Sequence, residues 1–408
     1  MYDVIIIGGG AAGLCCAGFA AGRGLSVLVA ERRERPARKI LVTGKGRCNL
    51  TNNCPPEEVL RNVCGNPKVL YSALAAFGPA DTMALFQGLG VPLKTERGNR
   101  VFPVSDSARD IADALVRFAR QSGADIVQAK AEEILLESGA AVGIRCGDGK
   151  SYRGKSIVLA AGGMSYPATG SDGSGFRLAE GVGHTIVPPR GSLVPIDCKE
   201  DCCGQMAGLS LKNVTLTLWE EGRKKPLFRE LGELLFTHRG VSGPLVLSAS
   251  AWMRKAADRY LLAVNMKPGL TPEQLDARLL RDFGDSPNRD IGNVLDSLFP
   301  RAFILPVLSA AEIPPDRKVR DVTREERLRL GAAAKAFPLT PVALGPVEEA
   351  VVTAGGVKVS EVDPRTMASK LVPGLYFAGE VLDIDARTGG FNLQLAFSTG
   401  YAAAMAAG

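Results

Sequence analysis

The sequence predicts an α/β protein whose main domain is discontinuous and carries an insert, and three observations support this fold class. An apolar, β-branched run at residues 3–7 leads through a glycine turn into a small-residue helix. A second succession of strand, glycine turn and helix closes the chain from residue 374 onward. Between these parts the pattern changes to short strands and then to amphipathic helices. With 408 residues, the chain also exceeds the length that one hydrophobic core usually supports.

Composition narrows the class of protein and the kind of partner. Apolar residues make up 46% and charged residues 23% of the chain, as in ordinary globular proteins. The net charge of +6 is small for this length, so we expect a small-molecule substrate and neither nucleic acid nor a membrane as a partner. Nine cysteines without the spacing of secreted domains, and an N-terminus without a signal-peptide pattern, predict a cytoplasmic location. The sequence leaves the oligomeric state open.

The first glycine turn has the spacing of a dinucleotide-binding fingerprint, with Gly8, Gly10 and Gly13 in the pattern G-x-G-x-x-G. The first glycine makes the tight turn, the second lets the backbone approach a pyrophosphate, and the third lets the helix pack closely on the sheet. The helix begins beside Ala11 and Ala12, where backbone N–H groups and the helix dipole favour a phosphate. We therefore predict a Rossmann-type unit that holds the pyrophosphate of a dinucleotide.

The second strand, at residues 26–30, ends at Glu31, which is followed by Arg32. A carboxylate in this place accepts hydrogen bonds from a ribose 2′-hydroxyl and disfavours a 2′-phosphate. The fingerprint therefore predicts FAD or NAD rather than NADP, with Glu31 and Arg32 among the cofactor contacts.

Three further glycine-rich segments follow, and none repeats the complete fingerprint, so we predict one full dinucleotide site. They occupy residues 38–52, 158–167 and 374–394. Turns that follow strands at both ends of the chain are expected to contact one cofactor. This arrangement suits a long dinucleotide, with its adenosine at the first motif and its ribityl-flavin at the last. In these segments we expect cofactor contacts at Lys39, Gly44, Gly46, Arg47, Cys48, Asn49, Ala161, Gly162, Gly379, Glu380, Gly390, Asn392, Leu393 and Gln394.

This arrangement resembles the glutathione-reductase-like FAD oxidoreductases, and the chain is most similar to the three-domain bacterial BaiN-like or YhiN-like NAD(P)/FAD-dependent oxidoreductases. The motifs that carry the resemblance are T-G-K-G-R-C-N-L-T-N at residues 43–52, S-Y-P-A-T-G-S-D-G-S-G at 165–175, G-E-L-L-F-T-H-R-G-V-S-G-P at 232–244, T-A-G-G-V at 353–357 and Y-F-A-G-E-V-L-D-I-D-A-R-T-G-G-F-N-L-Q at 376–394. The resemblance implies FAD, a backbone contact of Ala131 with the adenine, and a helix from residues 389–394 whose N-terminus points at the flavin. It leaves the substrate open, because members of this family include a reductase of unsaturated 3-oxo bile acids and an aminoacetone oxidase.

The insert shows two different sequence patterns. Short strand-like runs such as residues 214–219, with a turn at 221–224, predict a β-rich, barrel-like domain at 189–268. Capping boxes that begin at Thr271 and Thr323 open amphipathic stretches and predict a helical domain at 269–351. The FAD-binding domain then comprises residues 1–188 and 352–408.

The reacting centre is expected to be the flavin N5, so neither a catalytic triad nor a metal site is required. The chain has two histidines, His184 and His238, and the group Cys198, Cys202 and Cys203 lacks a matching second pair, so we predict no metal. Candidate side chains for polarising a substrate carbonyl lie in the loops that match the family, and structural roles are the alternative for each of them. They are Tyr166, His238 and Arg387.

Three hypotheses of function follow. The leading one is an FAD oxidoreductase that is reduced by transient NADH or NADPH and passes hydride to an activated C=C bond of a hydrophobic, steroid-like or bile-acid-like substrate. The alternative is an oxidase of a small amine or amino ketone, of the aminoacetone oxidase type, that produces hydrogen peroxide. A third is a non-catalytic flavin-binding protein that serves as a redox sensor or an RNA-associated partner.

Overall fold

The computed structural model describes residues 1–408, which form 19 strands and 13 α-helices. The strands are β1 Tyr2–Ile7, β2 Val27–Glu31, β3 Thr51–Asn52, β4 Leu93–Glu96, β5 Arg100–Pro103, β6 Asp125–Gln128, β7 Ala131–Glu137, β8 Ala140–Cys146, β9 Ser151–Leu159, β10 Ile186–Ser192, β11 Ile196–Cys198, β12 Ser210–Glu220, β13 Phe228–Phe236, β14 Gly240–Ser242, β15 Tyr260–Asn265, β16 Phe337–Leu339, β17 Pro341–Leu344, β18 Val352–Val357 and β19 Leu375–Phe377. The helices are α1 Ala11–Gly22, α2 Pro56–Arg61, α3 Tyr71–Ala76, α4 Pro79–Gly88, α5 Ala108–Gln121, α6 Ser174–Gly181, α7 Cys202–Gln205, α8 Pro244–Ser250, α9 Pro272–Gly284, α10 Ile291–Val294, α11 Arg301–Ala310, α12 Arg324–Lys335 and α13 Phe391–Ala406.

The chain divides into two compact units. The first unit combines residues 1–192 with 346–408, and the second unit spans residues 193–345. Each has its own hydrophobic core. The first unit is therefore discontinuous, as its sequence pattern predicts, and the second unit is the insert.

The main sheet of the first unit has the strand order β6-β2-β1-β9-β8-β7, with β19 pairing beside β9. β1 runs parallel to both β2 and β9, and β6 and β19 extend the parallel part. The β-branched residues Val4, Ile5 and Ile6 are 0% exposed, because a central parallel strand is covered on both faces. This is the α/β, Rossmann-type sheet that the sequence predicts, and in it β19, near the C-terminal end, pairs with β9.

Helix α1 packs against both α5 and α13, and small residues make these contacts possible. A β-carbon on Gly18 would overlap the ring of Phe118 in α5, and one on Gly400 of α13 would lie 2.5 Å from the Ala12 carbonyl oxygen. Most residues of α1 are buried, which explains why its sequence shows small residues all round instead of one apolar face. The close packing brings the N-terminal part of α1 next to the C-terminal helix.

The second unit is built on an antiparallel sheet with the order β16-β15-β12-β13-β14-β11-β17. The hairpin of β12 and β13 and the capping boxes at the N-termini of α9 and α12 are confirmed. Its core combines strand residues such as Leu262 with helix residues such as Phe303, both fully buried. The closure of the sheet into a barrel and the division of the insert at residue 268 stay predictions.

No single helix is long and apolar enough to span a membrane, although the bent pair of residues 67–76 and Pro79–Gly88 passes the same test jointly. Within the first unit this pair contributes Leu74 and Phe86, both 0% exposed, to the hydrophobic core.

Candidate functional site

The candidate site lies at the carboxyl edge of the parallel strands in the first unit. β1 is followed by Gly8, β2 ends at Glu31, β9 is followed by Ala160 and Ala161, and β19 leads to Gly379. Parallel strands end at one edge of a sheet, and open α/β sheets bind their ligands outside that edge. The structure thus gathers at one place the glycine-rich segments that the sequence distributes over the chain.

The first glycine turn is shaped by two close contacts and one open side. A β-carbon on Gly8, whose φ is +103°, would lie 2.6 Å from the Ala160 carbonyl oxygen, and one on Gly13 would overlap the Gly8 carbonyl oxygen. A β-carbon on Gly10 would meet no protein atom within 4 Å. Helix α1 starts at Ala11 without a side-chain cap, so the first N–H groups of the helix have no side-chain partner. An open glycine beside an uncapped helix N-terminus fits a pyrophosphate.

Glu31 is fixed by two backbone donors at the end of β2. Gly9 N–H donates to Glu31 Oε2 at 2.7 Å, and Arg33 N–H donates to Glu31 Oε1 at 2.8 Å. Each carboxylate oxygen keeps a lone pair, so the group can accept a ribose hydroxyl as well. Arg32 turns toward the 165–175 loop, where its guanidinium lies 2.6 Å from Asp172.

Ala131 is the first residue of β7, and its relative exposure is 7%. Nearby, Ala129 N–H donates to the Glu31 carbonyl oxygen at 2.8 Å, which joins the end of β6 to the end of β2. The start of β7 at Ala131 therefore comes directly after the residues that hydrogen-bond to the end of β2 at Glu31. The contact of the Ala131 backbone with an adenine stays a prediction.

A hydrogen-bond network around a partly buried ion pair connects three of the predicted loops. Lys39 Nζ lies 2.6 Å from both Glu380 Oε2 and Ser165 Oγ. Glu380 Oε1 accepts from Ser165 Oγ at 3.0 Å and from Thr353 N–H at 2.8 Å. Ser165 and Thr353 are 0% exposed, so the hydrogen bonds satisfy groups that have no water. Lys39 and Glu380 thus lie together at the site, and their ion pair holds the three loops next to each other.

Glycines of the segments at residues 158–167 and 374–394 also mark close approaches. Gly162 has φ of +75° and lies next to Ser171, and a β-carbon on Gly379 would lie 2.8 Å from that of Ala12. A β-carbon on Gly175 in α6 would lie 3.0 Å from the β-carbon of Ala161. These loops therefore contact α1 and each other directly.

The loop at residues 43–49 has unusual backbone geometry. Gly44 and Gly46 have φ of +56° and +83°, and Cys48, which is not a glycine, has φ of +59°. A β-carbon on Gly44 would lie 2.8 Å from the backbone nitrogen of Asn49. Cys48 is fully buried, and burial raises the pKa of its thiol to about 12. The thiol is therefore neutral at physiological pH, and it packs inside the loop.

Arg47 is held by neighbouring side chains. Its guanidinium makes an ion pair with Glu96, donates to Asp106 Oδ1 at 2.6 Å and covers the ring of Phe102 at 4.3 Å. These contacts anchor the loop to β4 and β5 and their following turn, so the charge of Arg47 is already compensated within the protein.

Two polar side chains join this loop to the start of the C-terminal helix. In the amide orientation that satisfies its neighbours, Asn49 donates to Thr51 O at 3.2 Å and accepts from Gly390 N–H at 3.0 Å. Asn52 Nδ2 donates to Gly389 O at 3.0 Å. A β-carbon on Gly390 would overlap the Thr51 backbone, which explains the glycine there.

Helix α13 begins after Gly390 without a side-chain cap, as expected for a helix whose N-terminus faces a ligand. The amide of Asn392 bonds the Ala386 backbone in both directions, at 2.9 and 2.7 Å. The amide of Gln394, which is fully buried, accepts from Thr51 Oγ1 at 2.6 Å. Leu393 is partly buried against the core. The amides of Asn392 and Gln394 therefore stabilise the loops, and the backbone of this helix start is the part left for a ligand.

The three candidate catalytic side chains do not lie in one unit. Tyr166, with φ of +53°, and Arg387 belong to loops of the first unit, and burial lowers the pKa of Arg387 from its usual value. His238 belongs to the second unit, where it lies exposed between β13 and β14. The structure of the first unit thus places two of the three on loops that border the candidate site.

Sequence reasoning missed polar residues that the structure buries at the site. Besides Ser165 and Thr353, Asp385 is 0% exposed, and its Oδ2 accepts from Ser192 Oγ at 2.7 Å. A carboxylate between the apolar residues Ile384 and Ala386, next to a glycine loop, is the sequence signal that could have identified it.

Comparison with known proteins agrees with this geometry. The chain matches the HI0933-like protein Rossmann domain family over residues 2–406. It is 32% identical to a ribosomal RNA dihydrouridine synthase from Escherichia coli over 99% of this chain and 97% of that protein. It is also 32% identical to a 3-dehydro-bile acid delta(4,6)-reductase from Clostridium scindens over 100% of this chain and 99% of that protein.

Among solved structures, the chain is similar to 3-ketosteroid delta1-dehydrogenase from Sterolibacterium denitrificans, with a TM-score of 0.51. The sequence identity is 14%, and the likeness covers 99% of this chain and 98% of that chain. At this identity the likeness supports the fold alone.

Proposed function

Because the chain belongs to the HI0933-like family and is an FAD-dependent oxidoreductase, we propose that it is a reductase that saturates a carbon–carbon double bond conjugated to a carbonyl group. The proposal is supported by the full-length similarity to two reductases of this kind. It is also supported by the carboxyl-edge site of the first unit, which has an open glycine turn, a Glu31 fixed by backbone donors and an α13 without a side-chain cap. The proposal further assigns NADH or NADPH as the transient source of hydride.

The residues present fit FAD. The turn at Gly8, Gly10 and Gly13 would hold the pyrophosphate, Glu31 would hold the adenosine ribose, and the start of α13 would face the flavin. When bound, FAD supplies the hydride-transfer chemistry. The protein itself contributes the close backbone approach, the positive end of the α13 dipole, and the Lys39–Glu380 pair that keeps three loops together.

The two relatives point to the same class of reaction on different molecules. Making dihydrouridine saturates a C=C bond beside a carbonyl of uracil, and a 3-dehydro-bile acid delta(4,6)-reductase acts on C=C bonds conjugated to a ketone. Both require a hydride at carbon and a group that polarises the carbonyl oxygen. We assign this polarising role to the hydroxyl of Tyr166, the guanidinium of Arg387 or the imidazole of His238.

Ribosomal RNA is a second candidate substrate beside a bile-acid-like steroid. The modest net charge predicts no nucleic-acid partner, but two relatives, 32% and 31% identical to this chain, bear the name of a ribosomal RNA dihydrouridine synthase. Net charge over the whole chain is a weak guide for an enzyme that contacts RNA over a small area. We therefore propose ribosomal RNA as a substrate to be tested beside the steroid.

The test starts from purified protein reconstituted with FAD under anaerobic conditions. We expect NADH or NADPH to bleach the flavin absorbance, and the reduced protein to regain its absorbance with either a 3-oxo steroid carrying Δ4 or Δ6 unsaturation or ribosomal RNA containing uridine. If neither compound reoxidises the flavin, and aminoacetone with dioxygen rapidly gives peroxide, the protein is an oxidase and not a reductase. FAD that binds but is reduced by no donor would support a non-catalytic flavin protein.

The polarising side chain is tested separately by Tyr166→Phe, Arg387→Lys and His238→Gln. We expect one of them to slow the reoxidation by the unsaturated substrate while the reduction by NADH or NADPH stays unchanged. Equal rates in all three variants would contradict the assignment.

A further inference from the structure

A group of positively charged side chains surrounds the tip of the hairpin formed by β4 and β5 in the first unit. We call this group the basic surface, and it consists of Lys45, Arg47, Lys94, Arg97 and Arg100. Arg97 and Arg100 flank the hairpin turn, and Lys94 lies on β4. Lys45 and Arg47 belong to the loop at residues 43–49. Only Arg47 is among the residues expected to contact the cofactor.

The ring of Phe102 on β5 joins the loop to the hairpin. The guanidinium carbon of Arg47 lies 4.3 Å from the ring centroid, and that of Arg100 lies 5.9 Å from it. A β-carbon on Gly44, which precedes Lys45, would lie 3.5 Å from the same ring. Phe102 is 4% exposed. The cations are therefore arranged around one buried aromatic side chain.

Two carboxylates compensate part of the charge of the basic surface. Glu96 and Asp106 form ion pairs with both Arg47 and Lys94. The other three cations are exposed and form no ion pair, and they are Lys45, Arg97 and Arg100. The only side-chain hydrogen bond among these three joins Arg100 Nε to the Arg97 carbonyl oxygen at 3.0 Å. Three positive charges are thus available to an anion from outside the chain.

The basic surface borders the end of the candidate site at which α13 begins. Asn52 Nδ2 donates to the Gly98 carbonyl oxygen in the hairpin turn and to the Gly389 carbonyl oxygen, both at 3.0 Å. The Asn53 N–H donates to the Asn99 carbonyl oxygen at 2.7 Å. One side-chain amide therefore connects the hairpin tip to the turn that precedes α13, whose N-terminus would face the flavin.

We propose that the basic surface binds the sugar-phosphate backbone of a single-stranded RNA and that the uridine to be reduced reaches the flavin from there. This inference rests on the proposed function, and it selects the RNA among the substrates. Phosphates repeat along a strand, so one RNA can engage several of the cations at once. Guanidinium groups can also pair with phosphate oxygens in a bidentate way or stack on a base.

Two further arguments favour a single-stranded RNA. A bile-acid-like steroid carries a single carboxylate, which cannot engage three exposed cations together. The C=C bond of uracil has to lie against the flavin, so the base has to leave the stack of a double helix. Unpaired loops and single strands meet this requirement at the lowest cost.

The test measures binding separately from turnover. The protein as purified, without NADH or NADPH, is titrated into a fluorescein-labelled oligouridylate, and fluorescence anisotropy gives the affinity at several salt concentrations. We expect Arg97→Gln combined with Arg100→Gln to weaken binding by more than about tenfold at about 0.1 M salt. The slope of log affinity against log salt concentration should become shallower by about 1.4, which is about 0.7 for each phosphate contact of a single strand.

The matched control is Arg117→Gln combined with Arg120→Gln, which removes two exposed arginines of α5 that form no ion pair. It should leave the affinity and the slope unchanged. Arg97→Lys combined with Arg100→Lys should keep the slope, because the charges stay. Circular dichroism checks the fold of every variant. If the first double variant does not fold, Lys45→Gln should make the slope shallower by about 0.7.

An unchanged slope in Arg97→Gln combined with Arg100→Gln, or an equal loss in the α5 control, would overturn the RNA-binding surface. Slower flavin reduction by NADPH with unchanged RNA binding would also overturn it, because the cations would then hold the phosphates of the dinucleotide. Reoxidation of the reduced flavin by a steroid and not by RNA would overturn the surface and leave the reductase intact. RNA binding that depends on Arg97 and Arg100, without flavin reduction by either nucleotide, would support the surface and contradict the reductase.

Discussion

At the scale of single residues, Gly10 and Gly13 occupy the same motif but meet different surroundings. A β-carbon on Gly13 would overlap protein backbone, whereas one on Gly10 would point into space with no protein atom within 4 Å. We therefore expect Gly10→Val to fold normally and to lose FAD, because its side chain fills the space assigned to the pyrophosphate. The ratio of flavin to protein absorbance after gel filtration measures this loss, and circular dichroism measures the fold.

The matched control is Gly22→Ala in the same helix, where an added β-carbon also meets nothing within 4 Å. It should keep the full flavin content. Gly13→Val should lose both the fold and the flavin, since no movement of a flexible side chain can relieve a clash with backbone. Normal flavin content in Gly10→Val would refute the placement of the pyrophosphate.

His184 gives the first unit a dependence on pH. Its Nδ1 lies 3.2 Å from Glu361 Oε2, its Nε2 lies 2.8 Å from Ser369 Oγ, and its ring packs edge-on against Phe377. Burial lowers the pKa of His184 from its ordinary value of 6.5, and Glu361 opposes this shift only in part. The unfolded chain therefore binds the proton more readily than the folded chain does.

We expect the free energy of unfolding to be unaffected by this group above about pH 6.5 and to fall at lower pH, by at most about 1.4 kcal/mol per pH unit. Urea unfolding at about pH 7.5 and about pH 5.5 measures the difference. His184→Gln should lower the stability at both values and reduce the difference between them. An unchanged difference in this variant would show that other groups cause the acid sensitivity.

At the scale of secondary-structure elements, helix α12 offers a comparison within one helix. Thr323 accepts from the Glu326 N–H at 3.2 Å, and the Glu326 carboxylate accepts from the Thr323 N–H at 2.8 Å. Thr323→Ala should destabilise the second unit by about 1 kcal/mol, because a helix N–H loses its partner. Gly331→Ala should stabilise it by about 0.5–1 kcal/mol, since its β-carbon meets no atom within 4 Å and alanine restricts the unfolded chain. Urea unfolding of both variants measures the two changes, and an equal effect of the same sign would contradict the capping interpretation.

Elements with local signals were predictable from the sequence. The strand, turn and helix around Gly8–Gly13 and the capping boxes at Thr271 and Thr323 appear where the pattern puts them, because turns and caps depend on a few neighbouring residues. The ion pair of Lys39 with Glu380 joins residues 341 positions apart, and no local pattern specifies such a pair.

The same limit explains the two amides at the start of α13. Asn392 and Gln394 are polar residues in a glycine-rich loop, which made them reasonable ligands in the sequence. In the structure their partners are the Ala386 backbone and Thr51, and only the fold brings Thr51 to this helix. The direction of a side chain depends on how its neighbours pack, and the periodicity of the sequence does not specify that packing.

At the scale of the whole molecule, the two ends of the insert lie close together. Gly345 N–H donates to the Pro195 carbonyl oxygen at 3.0 Å, and in the first unit β10 pairs with β18 through Ser192 and Val352. We therefore expect that residues 193–345 can be replaced by a short glycine-serine linker and that the remaining chain binds FAD. It should lose turnover with the unsaturated substrate if the insert selects that substrate. Flavin content and anaerobic reduction by NADH or NADPH measure the two properties.

A shortened chain that is soluble and folded but colourless would show that the insert takes part in holding the cofactor. The control is the full chain with the same linker placed after residue 408, which should behave as the unmodified protein does.

The contact between α1 and α13 has a consequence for how the protein is made. Arg23 at the end of α1 donates to the Ala407 carbonyl oxygen at 2.9 Å, and β19 pairs with β9. The first unit can therefore close only after residues 375–407 have been synthesised, whereas the core of the insert is formed within residues 193–345 and is complete earlier. During that interval the apolar surfaces of β1 and α1 lack their cover, so the nascent N-terminal third is the segment that depends most on chaperones.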